Sequence, residues 1–250
     1  MKTALITGAT SGIGRATARY FAKNNIRLIL CGRRDDRLTA LQGELSSLTA
    51  VHTLLFDVRD KKAVDNAIAS IPKEFKNIDI LVNNAGNAHG LDPIQNGDTD
   101  DWDAMIDINV KGLLYVSKAI IPNMIERKSG HIINIGSIAG KEVYPNGNVY
   151  CASKHAVDAI NQGMRMDLNQ YGIRVGAINP GLVATEFSEV RFKGDTERAD
   201  TVYKGYEPLQ PEDIADVITF VVTRPYHVNI ADLMILPTAQ ASATMVKKDN

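Results

Sequence analysis

The sequence predicts an α/β fold in which one doubly wound parallel sheet of seven strands carries helices on both faces. Three observations predict it. Short β-rich runs alternate with longer amphipathic stretches almost to the C-terminus, the order that generates βαβ units. Several of the short runs are nearly all apolar, as strands covered on both faces must be. A glycine-rich turn follows the first of them, and right-handed crossovers then leave few arrangements other than a doubly wound sheet.

The elements follow in order. Ala4–Thr7 reads as the first strand and Ile13–Lys23 as the helix after the turn. Ile26–Cys31 and Val51–Phe56 are the next strands, followed by helices over Arg37–Leu45 and Lys62–Ile71. After strand Ile78–Val82, Asp101–Ile125 reads as one long helix that opens on an acidic residue. His131–Ile135, Arg174–Ile178 and Asp232–Leu236 complete the strands, separated by helices over Val149–Gln170 and Pro211–Thr223. The least regular stretches are His89–Thr99 and Glu186–Lys204, the second expected to be a substrate loop, with a polar tail at Gln240–Asn250. No linker, repeat or low-complexity block divides residues 1–250, and that length can bury one sizeable core. A single nucleotide-binding and catalytic domain is expected.

With 28 Lys+Arg against 29 Asp+Glu the net charge is −1, and 44% of residues are hydrophobic. Such a chain is globular rather than disordered, and it lacks the clustered basic charge that nucleic acid or an anionic membrane requires. Cys31 and Cys151 stand far apart with no CxxC or Cys/His spacing, so neither a disulfide framework nor a metal site is indicated. The apolar stretch Ala4-Leu5-Ile6 is too short for a signal-peptide core. A chain in a reducing cytoplasm, with small molecules or protein surfaces as partners, is the expectation.

The first strand runs into Thr7-Gly8-Ala9-Thr10-Ser11-Gly12-Ile13-Gly14. Gly8 permits the tight turn, Gly12 lets backbone approach a pyrophosphate, and Gly14 lets the helix pack closely, with its N-terminus aimed at phosphate. The turn suits nucleotide binding in a Rossmann fold, although its Gly-x-x-x-Gly-x-Gly spacing is not the commonest GxGxxG and an ordinary strand-to-helix turn is the alternative; Thr10, Ser11 and Ile13 lie within it. The second strand ends Cys31-Gly32-Arg33-Arg34, where such folds commonly carry an acid for the ribose hydroxyls. Two guanidiniums suit a 2′-phosphate instead, which selects NADP; the alternative is surface pairing with Asp35 and Asp36. Asp57-Val58 and Asn83-Asn84-Ala85-Gly86 end the third and fourth strands, on the edge where ligands bind in these sheets. Asp57 is equally placed to cap the helix that follows.

The fifth strand ends Asn134-Ile135-Gly136-Ser137, and a later helix carries Tyr150-Cys151-Ala152-Ser153-Lys154. Tyr150 and Lys154 share one helical face a turn apart. A phenol titrates near 10, so a Tyr base working near neutrality needs a neighbouring cation, and Lys154 together with the oxidised nicotinamide is placed to supply it.

Thr7–Gly14, Asn83–Gly86, Asn109, Ser137, Tyr150 with Lys154, and Pro180-Gly181 with Thr185 together resemble the short-chain dehydrogenase/reductase family over nearly the whole chain. The resemblance implies that Ser137 orients the substrate oxygen, Tyr150 exchanges the proton, Lys154 binds nicotinamide ribose hydroxyls, and Asn109 supports a water leading from Lys154 to solvent. For Asn109, in mid-helix, local hydrogen bonding is the alternative reading. It also implies that Asp57 and Val58 contact adenine, that Asn84, Ala85 and Gly86 lie at the adjoining ribose, and that Pro180, Gly181, Val183 and Thr185 meet the nicotinamide carboxamide.

A narrower resemblance lies in His131–Ser137, Gly181-Leu182-Val183, Thr185-Glu186-Phe187-Ser188, Val190–Asp195 and His227-Val228-Asn229-Ile230. These stretches are similar to the NADP-dependent 3-hydroxy acid dehydrogenases, which oxidise serine, L-allo-threonine and related acids. The nearest rival is the acyl-carrier-protein reductases, which usually end in a Val-Asp-Gly-Gly stretch where this chain has Leu236-Pro237-Thr238-Ala239-Gln240. A reductase of a small ketone, or an NADP-binding regulator without turnover, are further alternatives. Arg191 is the candidate anchor for a substrate carboxylate, against surface pairing with Glu189 or Asp195. Family relatives are commonly homotetramers, joined through the two long helices and the last strand.

Overall fold

The computed structural model describes residues 1–249. Seven strands form one sheet: β1 (Thr3–Thr7), β2 (Arg27–Gly32), β3 (Val51–Leu55), β4 (Ile80–Asn83), β5 (Gly130–Ile135), β6 (Ile173–Pro180) and β7 (Asp232–Ile235). Their spatial order is β3-β2-β1-β4-β5-β6-β7, and every pairing is parallel. The seven expected strands are therefore present, each shifted by no more than a few residues.

Alternation along the strands divides the core between the two faces. Ile6, Leu28, Leu30, Val82 and Ile133 pack with Phe21 of α1 (Gly12–Lys23), Leu38, Leu41 and Leu45 of α2 (Asp35–Leu45), and Ile214 and Ile218 of α9 (Pro211–Thr223). Leu5, Ile29, Leu81, Ile132 and Val175 pack with Val64 of α3 (Lys61–Ala69), Val116, Ile120 and Met124 of α5 (Leu113–Arg127), and Leu168 of α6 (Asn148–Leu168). Burying each such Leu or Ile contributes roughly 1.5–3 kcal/mol, which holds both helical layers against a sheet that has no solvated face at its centre.

Three expectations are corrected. The long helix over Asp101–Ile125 is two helices, α4 (Thr99–Ile106) and α5, joined by a π-helical turn over Asp107–Gly112. An added Cβ on Gly112 would stand 2.7 Å from Val58, so the turn packs on the end of β3, and widening by one residue swings Asn109 inward. The stretch Glu186–Lys204 is not an irregular loop but carries α7 (Phe187–Arg191) and α8 (Thr196–Thr201). Thr185 Oγ1 accepts the Phe187 N–H at 3.2 Å and Asp195 caps α8 by accepting the Arg198 N–H at 3.0 Å, starts that apolar periodicity does not announce. Residues 240–249 of the expected polar tail fold back, with Gln240 buried and paired to Val246 in an antiparallel bridge; residue 250 lies outside the described residues.

β1 and β4 are adjacent although β2 and β3 run off the other way. The chain reverses direction across the sheet at this point, and ligand crevices form beyond the strand ends there.

Candidate active site

A cleft of about 950 Å³ opens at the carboxyl ends of the strands. Gly8, Thr10, Ser11, Gly12, Ile13, Arg33, Arg34, Asp57, Val58, Asn84, Ala85, Gly86, Ser137, Tyr150, Lys154, Pro180, Gly181, Val183, Thr185 and Arg191 all line it. Gly14 and Asn109, the other two candidate residues, stand behind the wall and shape it.

At the nucleotide end, Gly8 and Gly12 take left-handed φ values of 64° and 48°, which side chains disfavour. A Cβ on Gly14 would collide with the Gly8 carbonyl and the Asn84 amide, so the third glycine is required by contact. Asn84 lies at the cleft, but its amide is committed to structure: Nδ2 donates to the Thr7 and Gly8 carbonyls at 2.9 and 3.2 Å. That lashes β4 to the glycine turn. α1 has no acidic residue in its first turn, leaving the positive end of the helix uncompensated toward an anion.

The arginines do not pair with Asp35 or Asp36. Arg33 Nη1 reaches Asp57 Oδ2 at 3.3 Å, whereas Arg34 donates to Thr10 Oγ1, Ser11 Oγ and, at 3.0 Å, Glu186 Oε2. Arg34 also precedes α2, whose first-turn acids Asp35 and Asp36 serve the helix instead. Asp57 is not a helix cap either. Asp60 caps α3, accepting the Ala63 N–H at 3.0 Å, while Asp57 accepts from Arg59 and Arg33. Burial opposes ionisation of Asp57, but these guanidiniums outweigh it and hold its carboxyl below the usual range.

At the other end, Ser137 leaves β5 in extended backbone and accepts the Ala139 N–H at 3.1 Å. Tyr150 and Lys154 lie in the first two turns of α6 and both are buried. Lys154 Nζ donates to the Ile135 carbonyl at 2.9 Å and lies 6.0 Å from the Tyr150 ring. Burial lowers the Lys154 ammonium to about 8. Burial pushes the Tyr150 phenol up, with Tyr144 adding to the shift; Ser137, by hydrogen bonding, and Arg191, by charge, oppose it. A second cation, Arg191, thus stands 5.6 Å from the Tyr150 ring beside Lys154 at 6.0 Å, and the sequence pointed only to Lys154. Asn109 does not bond locally: its amide donates to the Asn87 carbonyl at 2.8 Å and Ser153 Oγ at 3.0 Å, and its Oδ1 accepts the Asn87 N–H at 2.9 Å. Beneath the site Asn83 donates to Asn134 and Ser117, and Asn134 to Asn161, a buried amide chain that fixes β4 and β5 against α5 and α6.

Arg191 pairs with neither Glu189 nor Asp195. Its Nε donates to the Gly90 carbonyl and its Nη1 to the Tyr144 hydroxyl, both at 3.0 Å, with the guanidinium 5.6 Å from the Tyr150 ring. Sequence reasoning missed Tyr144, Glu186, Phe187 and Gln240, which also line the cleft. Gln240 Oε1 accepts the Leu182 N–H at 2.9 Å, and the Phe187 ring meets Tyr150 edge-on at 5.6 Å. None of these contacts joins sequence neighbours, so no local spacing marked them.

These features fit a phosphorylated dinucleotide: a backbone cradle a Cβ would fill at Gly14, a bare helix N-terminus, and cationic side chains at the tip of β2. The chain belongs to the short-chain dehydrogenase family, whose model matches residues 2–196. It is 47% identical to the NADP-dependent 3-hydroxy acid dehydrogenase YdfG of Salmonella typhi over 96% of each chain. It is also 48% identical to sulfoacetaldehyde reductase 2 of Chromohalobacter salexigens over 98% of each. Among solved structures, the closed form of serine dehydrogenase complexed with NADP+ superposes with a TM-score of 0.93 at 44% identity, covering 99% of this chain and 100% of that one.

Proposed function

We propose that this chain moves hydride between NADP and the C3 carbon of a small 3-hydroxy acid such as serine, L-allo-threonine or 3-hydroxyisobutyrate. The observation that carries the substrate class is Arg191, held by Gly90 and Tyr144 beside the Tyr150 ring. Two hydrogen bonds orient the guanidinium and leave further N–H donors for a carboxylate. The names of the similar enzymes and the serine dehydrogenase likeness support the reading.

When bound, the nicotinamide accepts or delivers the hydride at C4. Gly8 to Gly14 and the start of α1 would hold the pyrophosphate, Arg33 and Arg34 the 2′-phosphate, Lys154 the nicotinamide ribose hydroxyls, and Pro180 to Thr185 the carboxamide. Ser137 holds the substrate oxygen beside Tyr150. In reduction Tyr150 gives its proton to that oxygen, the state that burial favours. In oxidation it must take the proton instead, and the charges of Arg191 and Lys154 make phenolate less costly. Lys154 keeps most of its charge at neutral pH because its value stays near 8. Asn109 fixes the turn around Asn87 beside Gly86, where a water leading to Lys154 would stand.

Replacing Arg191 with Ala raises KM for serine or 3-hydroxyisobutyrate by about tenfold or more, leaves NADP binding intact, and narrows the preference for the acids over their methyl esters. Undiminished discrimination of acid from ester by this variant places the carboxylate elsewhere. A second reading has its own support in the 48% identity to sulfoacetaldehyde reductase 2: Arg191 would hold a sulfonate as it holds a carboxylate. Comparing sulfoacetaldehyde reduction with serine oxidation in one preparation decides between them.

The same reading takes residues 1–250 as one domain, the protein as cytoplasmic, and the assembly as a homotetramer. Both cysteines are free and buried, and among the described residues no helix is long and apolar enough to cross a membrane. Leu114 on α5, Met166 on α6 and Met234 on β7 expose apolar surface on the three elements the family assembly would use. Light scattering on the purified protein reads the assembly directly.

A further inference from the structure

An ion-pair cluster joins the two sides of the cleft through a carboxylate that has no role in the proposed reaction. Glu186 follows Thr185 at the start of α7, and its Oε2 takes Arg34 Nη1 at 3.0 Å. Its Oε1 takes Arg37 Nη1 at 2.7 Å, with Oε2 also within 3.0 Å of that nitrogen. The other edge of Arg34 is already held. Its Nε and Nη2 donate to Thr10 Oγ1 at 3.2 and 3.0 Å, and Nη2 to Ser11 Oγ at 2.9 Å. Arg34 is thus pinned to the glycine turn with Nη1 turned to an anion, and the anion there is the Glu186 carboxylate.

We infer that Glu186 is a specificity-determining residue for the cofactor: it competes with the 2′-phosphate for Arg34 and ties the segment after Thr185 to the nucleotide end of the cleft. The inference rests on the reading of Arg33 and Arg34 as the 2′-phosphate site. A phosphomonoester brings roughly −1.5 to −2 charge at pH 7, and at Nη1, the nitrogen of Arg34 that Thr10 and Ser11 leave open, it meets the Glu186 carboxylate. The phosphate therefore displaces Glu186 from Arg34, and the repulsion between the two anions adds to the cost. Arg37 is a separate partner and keeps hold of Glu186, so the segment stays attached. A nucleotide without the phosphate meets no such competition, because Glu186 then stays on both guanidiniums. Proximity makes the coupling direct: a Cβ on Gly12 would lie 3.2 Å from the Thr185 methyl, so residues 185–186 ride over the turn that cradles the pyrophosphate. Arg33 takes no part, since it turns away to Asp57 and its side chain is 57% exposed.

Calorimetric titration of the full chain with NADP and with NAD tests this without turnover. Glu186→Gln, which keeps shape and removes charge, should tighten NADP about threefold or more while leaving NAD unchanged, and the gain should shrink at high salt. Glu186→Ala should move NADP in the same direction. The double variant Arg33→Ala/Arg34→Ala should weaken NADP about tenfold or more and spare NAD. If that double variant is selective but both Glu186 variants bind NADP no more tightly than the native chain, the competition is wrong and the phosphate site stands. If the double variant weakens both nucleotides alike or neither, the phosphate site itself is wrong and the competition falls with it. Equal tightening of NADP and NAD by Glu186→Gln would also overturn the inference, by showing a general loosening of the cleft.

Discussion

The inner wall of the cleft is made of strand ends and the first turns that leave them, and the outer wall of residues 185–203 and 240–246. On the inner wall Gly8, Ser137, Tyr150 and Lys154 are placed by buried backbone, two hydrophobic layers and an amide chain. On the outer wall Glu186, Arg191 and Tyr203 are placed by side-chain hydrogen bonds and partly exposed ion pairs. Packing fixes geometry at a cost of several kcal/mol per defect, whereas an exposed ion pair contributes about 1 kcal/mol or less. The wall to which the proposed chemistry belongs is accordingly the one held by packing. The wall to which selection is proposed to belong is held by contacts weak enough to exchange.

From this contrast the largest effect is expected at Tyr150. Tyr150→Phe keeps the ring and its edge contact with Phe187 but removes the only proton-exchanging group, so kcat should fall roughly 10²–10⁴-fold while calorimetry shows NADP binding unchanged. The pH dependence has a definite sign. Oxidation consumes phenolate, and burial holds the phenol above its ordinary value, so kcat/KM for the hydroxy acid at saturating NADP should rise with pH through neutrality. Above about 8, where Lys154 loses its charge, the rise should bend over. A flat profile in the native enzyme would break the assignment.

A smaller effect is expected where the inner wall is overfilled. Gly14→Ala forces a Cβ against the Gly8 carbonyl and Asn84 amide, and should cost about 1–3 kcal/mol in denaturant unfolding with weaker binding of both NADP and NAD. Unchanged stability would mean that the turn yields as easily as the outer wall. The smallest effect is expected on that outer wall. Tyr203 donates to the Val183 carbonyl at 2.9 Å and bonds Ser188 Oγ at 2.8 Å; Tyr203→Phe should cost about 1 kcal/mol and leave kcat in place. A loss of kcat comparable to that of Tyr150→Phe would erase the distinction between the walls.

The same contrast explains what the sequence made legible. The glycine turn, Ser137 and the Tyr150/Lys154 pair are short-range patterns at strand ends, where the backbone requirement itself selects the residue. Arg34 and Glu186 are 152 positions apart, and Gln240 reaches Leu182 across 58; no periodicity relates such residues before the chain is folded. The break at Asp107–Gly112 was hidden because a π turn preserves helical apolar spacing on either side. Asp57 and Asp60 are equally good caps by residue type, and only the positions of Arg33 and Arg59 decide between them. For Tyr150 the spacing to Lys154 was visible, but the guanidinium of Arg191 arrives from α7, outside any motif.

Oxidation of a small 3-hydroxy acid with NADP in this cleft can be read directly. Purified native protein mixed with NADP and serine, with 3-hydroxyisobutyrate in a parallel cell and their methyl esters as controls, tests it by the absorbance of reduced nicotinamide. Steady formation of reduced cofactor is expected with the acids, little with the esters, and almost none from Tyr150→Phe. Reduction of NADP with neither acid at any pH from neutral to alkaline, or equal rates from native protein and Tyr150→Phe, would contradict it.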